Sequence, residues 1–205
     1  MAKLKKGDRK LLNAWAFYDW ANSVYSLVIA SAIFPIYYQA LFEVGEVHTI
    51  VVFGGEIRST PLISYTTAAA FLVVAMISPL LSGIADFIGN KKSFMKFFCY
   101  LGGVSTMCLY FFDLENIHIS LLFYFFGLIG FWGSLVFYNS YLTDIAYPEQ
   151  QVKISSRGYS WGYVGSVILL IFNLSMVLNP QWFGLGEGNQ AAMEAMKWSF
   201  VSVGI

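Results

Sequence analysis

An all-α membrane protein is the fold class this sequence predicts, and three observations predict it. Of its 205 residues, 58% are hydrophobic and 19% aromatic, against only 12% charged, the profile of a chain whose solvent is lipid. The apolar residues form continuous Leu- and Phe-rich runs of about 20 residues, enough to cross a ~30 Å hydrocarbon core as helices, without the period-2 alternation of a membrane barrel. The charges sit between the runs, and ten of the twelve Lys and Arg occupy alternate gaps: Lys3, Lys5, Lys6, Arg9, Lys10, Lys91, Lys92, Lys96, Lys153 and Arg157. The positive-inside rule then places the N-terminus and those gaps in the cytoplasm.

Residues 1–12 read as a basic tail at the membrane surface. The run after it is too long for a cleaved signal and has no small-residue cleavage site, so it is the first span, 13–38. It exceeds one crossing, and Pro35 is expected to kink or end it. An outer loop follows, whose apolar patch from Ile50 to Phe53 fits a strand or an interfacial segment. The second span, 63–85, carries Ser78, Pro79, Ser82 and Gly83, small or helix-breaking residues that let a neighbouring helix approach.

A short polar turn from Ser82 to Lys92 leads to the third span, 94–112. The brief gap from Asp113 to His118 makes this span and the fourth, 119–142, antiparallel neighbours. The fifth, 158–178, opens with Gly158, Gly162 and Gly165 at i, i+4 and i+7, a stripe where a partner backbone can touch. A sixth span, 196–205, is incomplete. Its last turns rise only about 13 Å and leave a carboxylate in hydrocarbon, so the chain is expected to be a fragment or a truncated product.

Asp19 lies about two turns inside the first span, where an ionisable group is costly and by default functional. On an ideal helix it shares a face with Trp15, Asn22, Ser23, Ser26 and Ala30. Either it is a protonatable, ion-coupling group on a solute pathway, or it pairs with Arg157 near the headgroups. On the fourth span Trp132 and Asn139 share a face with Val136 and Thr143, placed for solute contact or for hydrogen bonds between helices. Asp86, Gly89 and Lys91 in the turn form a candidate cytoplasmic gate, with Asp144 and Arg157 bracketing the next cytoplasmic loop.

No cofactor, metal or nucleic-acid partner is expected. The glycines do not form a nucleotide-binding fingerprint; Cys99 and Cys108 are nine positions apart on one helix, and His48 and His118 stand alone in outer loops. An intramembrane enzyme would need such a His beside a carboxylate at one leaflet, so no catalytic residue is assigned.

The turn from Ser82 to Lys91 resembles the pattern Gly-x-Leu-Ala-Asp-Arg-x-Gly-Arg-Lys of major facilitator superfamily transporters, with Asp86, Gly89 and Lys91 matching and Ser82, Phe87 and Asn90 departing. Phe87 stands where the family's arginine would join a charge relay. Trp15-Ala-Phe-Tyr-Asp-Trp-Ala-Asn-Ser-Val-Tyr-Ser resembles the opening of the branch related to fungal vacuolar amino-acid effluxers, as do Tyr138-Asn-Ser-Tyr-Leu-Thr-Asp-Ile and Ser155-Ser-Arg-Gly-Tyr-Ser-Trp-Gly-Tyr-Val-Gly-Ser.

The resemblance implies the N-terminal six-helix half of a major facilitator fold, in a bacterial inner membrane. It implies a secondary active transporter that exports amino acids or related small solutes against protons by alternating access, partnered by a missing C-terminal half and the lipid bilayer. Asp86 would act as a latch on a helix of that half. The readings from other classes are an intramembrane enzyme and a non-transporting membrane scaffold.

Overall fold

The first helix begins where Asp8 caps it. The carboxylate accepts from the backbone N–H groups of Lys10 at 2.8 Å and Leu11 at 3.4 Å, satisfying donors that a helix start leaves unpaired. The computed structural model describes residues 5–52 and 54–205; Lys3 of the basic tail and Phe53 of the outer patch lie outside the described residues.

Helix α1 (Arg9–Val24) passes without a break into a π-helical segment, Tyr25–Ile33, and then into α2 (Phe34–Val44), one rod of 36 residues. Pro35 therefore does not end the rod. A proline ring collides with the carbonyl one turn earlier and offers no N–H, and the wide turns that precede it supply the room. Their spacing is visible in two five-residue bonds: Phe34 N–H to the Ile29 carbonyl, and the Ser31 hydroxyl to the Ser26 carbonyl at 2.9 Å. Such wide turns occur often at functional sites.

Strands β1 (Thr49–Val52) and β2 (Gly55–Arg58) form a two-stranded antiparallel hairpin, with Ile50 opposite Ile57. Both isoleucines pack on the end of the helical core, so Ile50 to Val52 of the outer patch take the strand form. Helix α3 (Ser59–Ile88) runs for 30 residues straight through Pro79. It ends at Gly89, whose φ of +69° is the left-handed conformation. The Gly89 N–H bonds the Asp86 carbonyl and the Asn90 N–H the Ala85 carbonyl, a closure that favours glycine.

Helices α4 (Lys91–Cys108), α5 (Ile117–Ile145), α6 (Pro148–Leu178) and α7 (Asn189–Gly204) complete the chain. His118 belongs to the first turn of α5 rather than to a loop, and α7 opens upstream of Met196, with Ala191 and Ala195 already buried. Among the described residues the first rod and α3 to α6 are the five helices long and apolar enough to cross a membrane.

Helix adjacency closes a ring: α3 lies on α5, α5 on α4, α4 on α7, α7 on α6, α6 on α1, and α1 returns to α5. Fifteen of the 29 residues of α5 are buried, against Leu62, Ala70 and Ala85 alone in α3, so α5 is the central post and α3 an outer one. Phe34 stacks on Tyr124 at 4.3 Å and meets Phe112 and Phe200; the Tyr37 hydroxyl donates to the Phe112 carbonyl at 2.6 Å. This aromatic core locks the upper half of the rod to α5 and α7.

Candidate functional site

Asp19 is 5% exposed. Its side chain points to α6, where Gly158 and Gly162 leave space: a Cβ at Gly158 would stand 3.6 Å from Asp19 Oδ2, and one at Gly162 only 2.5 Å from Ser23 Oγ. The glycine stripe read from the sequence is thus the recess in which α1 places its polar side chains. Ser23 Oγ donates to Asp19 Oδ1 at 3.1 Å. Among the described residues no Lys or Arg lies within ion-pair distance of this carboxylate, the ion pairs there being Lys91 with Asp86 and with Asp144.

The pairing of Asp19 with Arg157 does not form. Arg157 Nη1 donates instead to Asn13 Oδ1 at 2.7 Å, on the exposed side of the same α1–α6 seam, and no described ion pair joins it to Asp144 or Asp86. A buried carboxylate with one neutral donor keeps its charge at high cost.

The neighbouring ring system holds α1 against α5. Trp15 stacks flat on Tyr138, centroids 4.1 Å apart, and its indole N–H donates to the Tyr138 carbonyl at 2.9 Å. The Tyr138 hydroxyl is buried with no protein partner among the described residues. It stands 2.9 Å from where a Gly158 Cβ would be, on the same glycine that faces Asp19.

The face drawn from an ideal helix is divided. Asn22 turns away from Asp19 and Ser23; its Oδ1 accepts from Ser134 Oγ at 3.2 Å, at a cavity of ≈ 190 Å³ bounded by Tyr18, Tyr25 and Cys99. The Tyr18 and Tyr25 hydroxyls are also buried without a protein partner. Ser26 is the second residue of the π-helical segment and its side chain is exposed, unlike the buried Asp19. Trp132 and Asn139 lie on an exposed face of α5, where Trp132 meets Phe71 of α3 edge-on at 5.5 Å. Neither joins the Asp19 recess.

Tyr18, Tyr25 and Tyr138 stand in the runs that carry the family resemblance, but the sequence assigned them no role in a site. Their signal is available: a mid-span tyrosine carries a hydroxyl that burial obliges to find a partner.

At the lysine-rich end Lys91 Nζ lies 2.8 Å from Asp86 Oδ1 and 3.0 Å from Asp144 Oδ2, joining the ends of α3, α4 and α5. Lys6 Nζ donates to the Thr143 carbonyl at 2.7 Å and the Gly7 N–H to Ile145 at 2.8 Å. The tail, the α3–α4 turn and the end of α5 therefore meet at one pole. No group of three or more His, Cys, Asp or Glu among the described residues could hold a metal ion.

The chain matches the family model described as "Vacuole effluxer Atg22 like" over residues 7–205. It is 38% identical over 178 residues to an uncharacterized MFS-type transporter, YxiO, of Bacillus subtilis (strain 168), a match covering 87% of this chain and 40% of that protein. An uncharacterized protein of Aquifex aeolicus (strain VF5) is 25% identical over 174 residues, with coverage of 84% and 40%. The chain thus spans about two fifths of the length of these relatives. No solved structure matches it.

Proposed function

The chain belongs to the family described as Vacuole effluxer Atg22 like, and on that premise we propose that it forms the N-terminal half of a secondary transporter that exports amino acids or related small solutes in exchange for protons. Asp19 carries this reading. A recessed carboxylate on the first rod, with one hydroxyl donor and no cation, is a place where a proton joins and leaves as the site changes exposure. Ser23 orients the carboxylate. Asn22 and Ser26, above it on the same rod, and Trp132 and Asn139 on the open face of α5, line the solute's path toward a second half.

Asp86, Gly89, Lys91 and Asp144 form the gate at the lysine-rich pole, which the positive-inside rule assigns to the cytoplasm. Lys91 clasps α3 and α5 in this state. Asp86, 60% exposed at its side chain, is free to exchange that partner for a helix N-terminus of the other half as the halves rock. Arg157 with Asn13 fastens α6 to α1 at the same pole.

The test is gradient-driven flux of radiolabelled amino acids in proteoliposomes carrying the transporter. Asp19→Asn is expected to bring flux down to that of protein-free vesicles while insertion and melting temperature stay unchanged. Flux that keeps its pH dependence in that variant removes Asp19 from the coupling step.

A further inference from the structure

A second cavity, of ≈ 800 Å³, lies between α2 and α3 at the pole opposite the lysine-rich end, with Tyr124 of α5 also in its lining. Its size is that of a small-molecule site, and it shares no lining residue with the Asp19 recess, lying at the α2 end of the first rod. Phe34, Tyr38, Phe42 and Phe71 supply apolar and π surface.

Much of the polar lining turns acceptors to the space, although Ser59, Thr60, His48 and Gln39 in the lining also carry protons. The Tyr38 hydroxyl donates to the Ser59 carbonyl at 2.8 Å, the Ser64 hydroxyl to the Thr60 carbonyl at 3.0 Å and the Thr67 hydroxyl to the Ile63 carbonyl at 2.8 Å. With the Thr67 proton so used, the 3.2 Å contact between Thr67 and Tyr124 takes its proton from the tyrosine. Four hydroxyls have spent their protons inside the protein and offer only lone pairs. Glu43 at the rim accepts from the Gln39 amide at 2.8 Å, which fixes the carboxylate and uses one of the two amide N–H donors. His48 and the first turn of α3 are at the rim too, and the Ser59 N–H there is already bonded to the His48 carbonyl at 3.3 Å. Among the described residues no Lys or Arg lines the cavity.

We propose that this groove binds an organic ammonium compound, a primary amine on an apolar body, with the ammonium at Glu43 and the body against the aromatic wall. An ammonium group brings three donors and no acceptor, the complement of Glu43 and of those four hydroxyls, and its charge is favoured by the carboxylate and by the ring faces. An anionic ligand of the same shape meets the Glu43 carboxylate with no Lys or Arg among the described lining residues to offset it. The proposal rests on the transporter reading only in treating the ligand as a transported solute. Binding is read without flux, so a failure of Asp19-dependent transport leaves it standing.

The experiment is equilibrium binding to the purified protein in nanodiscs with three probes of one shape: 2-phenylethylammonium, 2-phenylethanol and phenylacetate. The ammonium probe is expected to bind about tenfold or more tightly than the alcohol, the value of one charge-assisted hydrogen bond, and phenylacetate not to compete. Glu43→Gln should bring the ammonium probe to the level of the alcohol and Thr67→Val should weaken it severalfold. Glu115→Gln, an exposed acid in the neighbouring turn, should leave it unchanged. Equal affinity for the three probes, no binding by any of them, or equal loss from Glu115→Gln and Glu43→Gln overturns the assignment.

Discussion

Two of the glycine-lined seams in this bundle use the same residue for opposite purposes. Along α4 and α5, backbone meets backbone: a Cβ on Gly102 would stand 3.2 Å from the carbonyl carbon of Gly130, and one on Gly133 would enter the Phe98 ring at 2.5 Å. Along α1 and α6 the absent side chains make room for polar groups. Gly158 faces the Tyr138 hydroxyl and Asp19, Gly162 faces Ser23 with the Asp19 carbonyl 3.2 Å from its would-be Cβ, and Gly165 meets the Trp20 carbonyl at 2.7 Å and the Trp20 ring. The first seam is a weld and the second a recess. Small residues in a membrane bundle mark close approach, and only the chemistry across from them tells whether the approach serves stability or a site.

The sharpest break of this contrast is Gly130→Ala. Its Cβ would overlap the backbone nitrogen and Cα of Gly102, atoms that move only if the two helices part. The expected loss is about 3 kcal/mol or more, at the upper end of overpacking costs, seen as a large fall in melting temperature in detergent. Gly83→Ala is the matched control. Nothing lies within 4 Å of its Cβ, so it should be neutral or stabilising by up to ~1 kcal/mol from helix propensity. Equal losses from the two variants would mean that α4 and α5 are not welded.

The recess was legible before the weld was. Gly158, Gly162 and Gly165 announce themselves by i, i+4, i+7 spacing, and Asp19 by being a charge in an apolar run. The turn at Gly89 was legible for the same local reason: its φ of +69° suits few other residues. The rest depends on what stands opposite. Pro79 reads as a break, yet α3 passes through it; Pro35 reads as an end, yet the π-helical turns before it absorb the ring. Those turns have no sequence mark, and Ser26 at their start is exposed although it was grouped with the buried Asp19. The lone-pair lining of the α2–α3 cavity is further from reach, since it requires knowing which carbonyl each hydroxyl bonds. Glu43 on its own looks like any loop acid.

Gly162→Ala sharpens the comparison from the other side. Its Cβ would press on Ser23 Oγ, which can rotate, and more lightly on Ser23 Cβ and the Asp19 carbonyl at 3.1 and 3.2 Å, so the stability loss should be about 1 to 2 kcal/mol, less than at Gly130, where the overlap is with backbone. The larger consequence is functional, because Ser23 is the one hydrogen-bond donor on Asp19 among the described residues. The pH profile of flux in proteoliposomes should shift in Gly162→Ala, whereas Gly165→Ala, whose Cβ faces Trp20, should lower stability with no shift. A shift of the same size in both variants would make the recess a second weld.

The smallest effect belongs to the pole where neither kind of seam operates. Lys91 joins Asp86 and Asp144, but those carboxylates are 60% and 47% exposed while the ammonium stem is 12% exposed. Water screens both pairs, so each contributes about 0 to 1 kcal/mol. Lys91→Gln is therefore expected to cost about 1 kcal/mol, with the difference shrinking in high salt as the two remaining carboxylates are screened from each other. A thermal melt at low and high ionic strength reads this directly. A loss approaching that of Gly130→Ala, and insensitive to salt, would mean that charge at the pole rather than backbone contact at the weld holds α3 and α5 in place, which would reverse the ranking of the bundle's contacts.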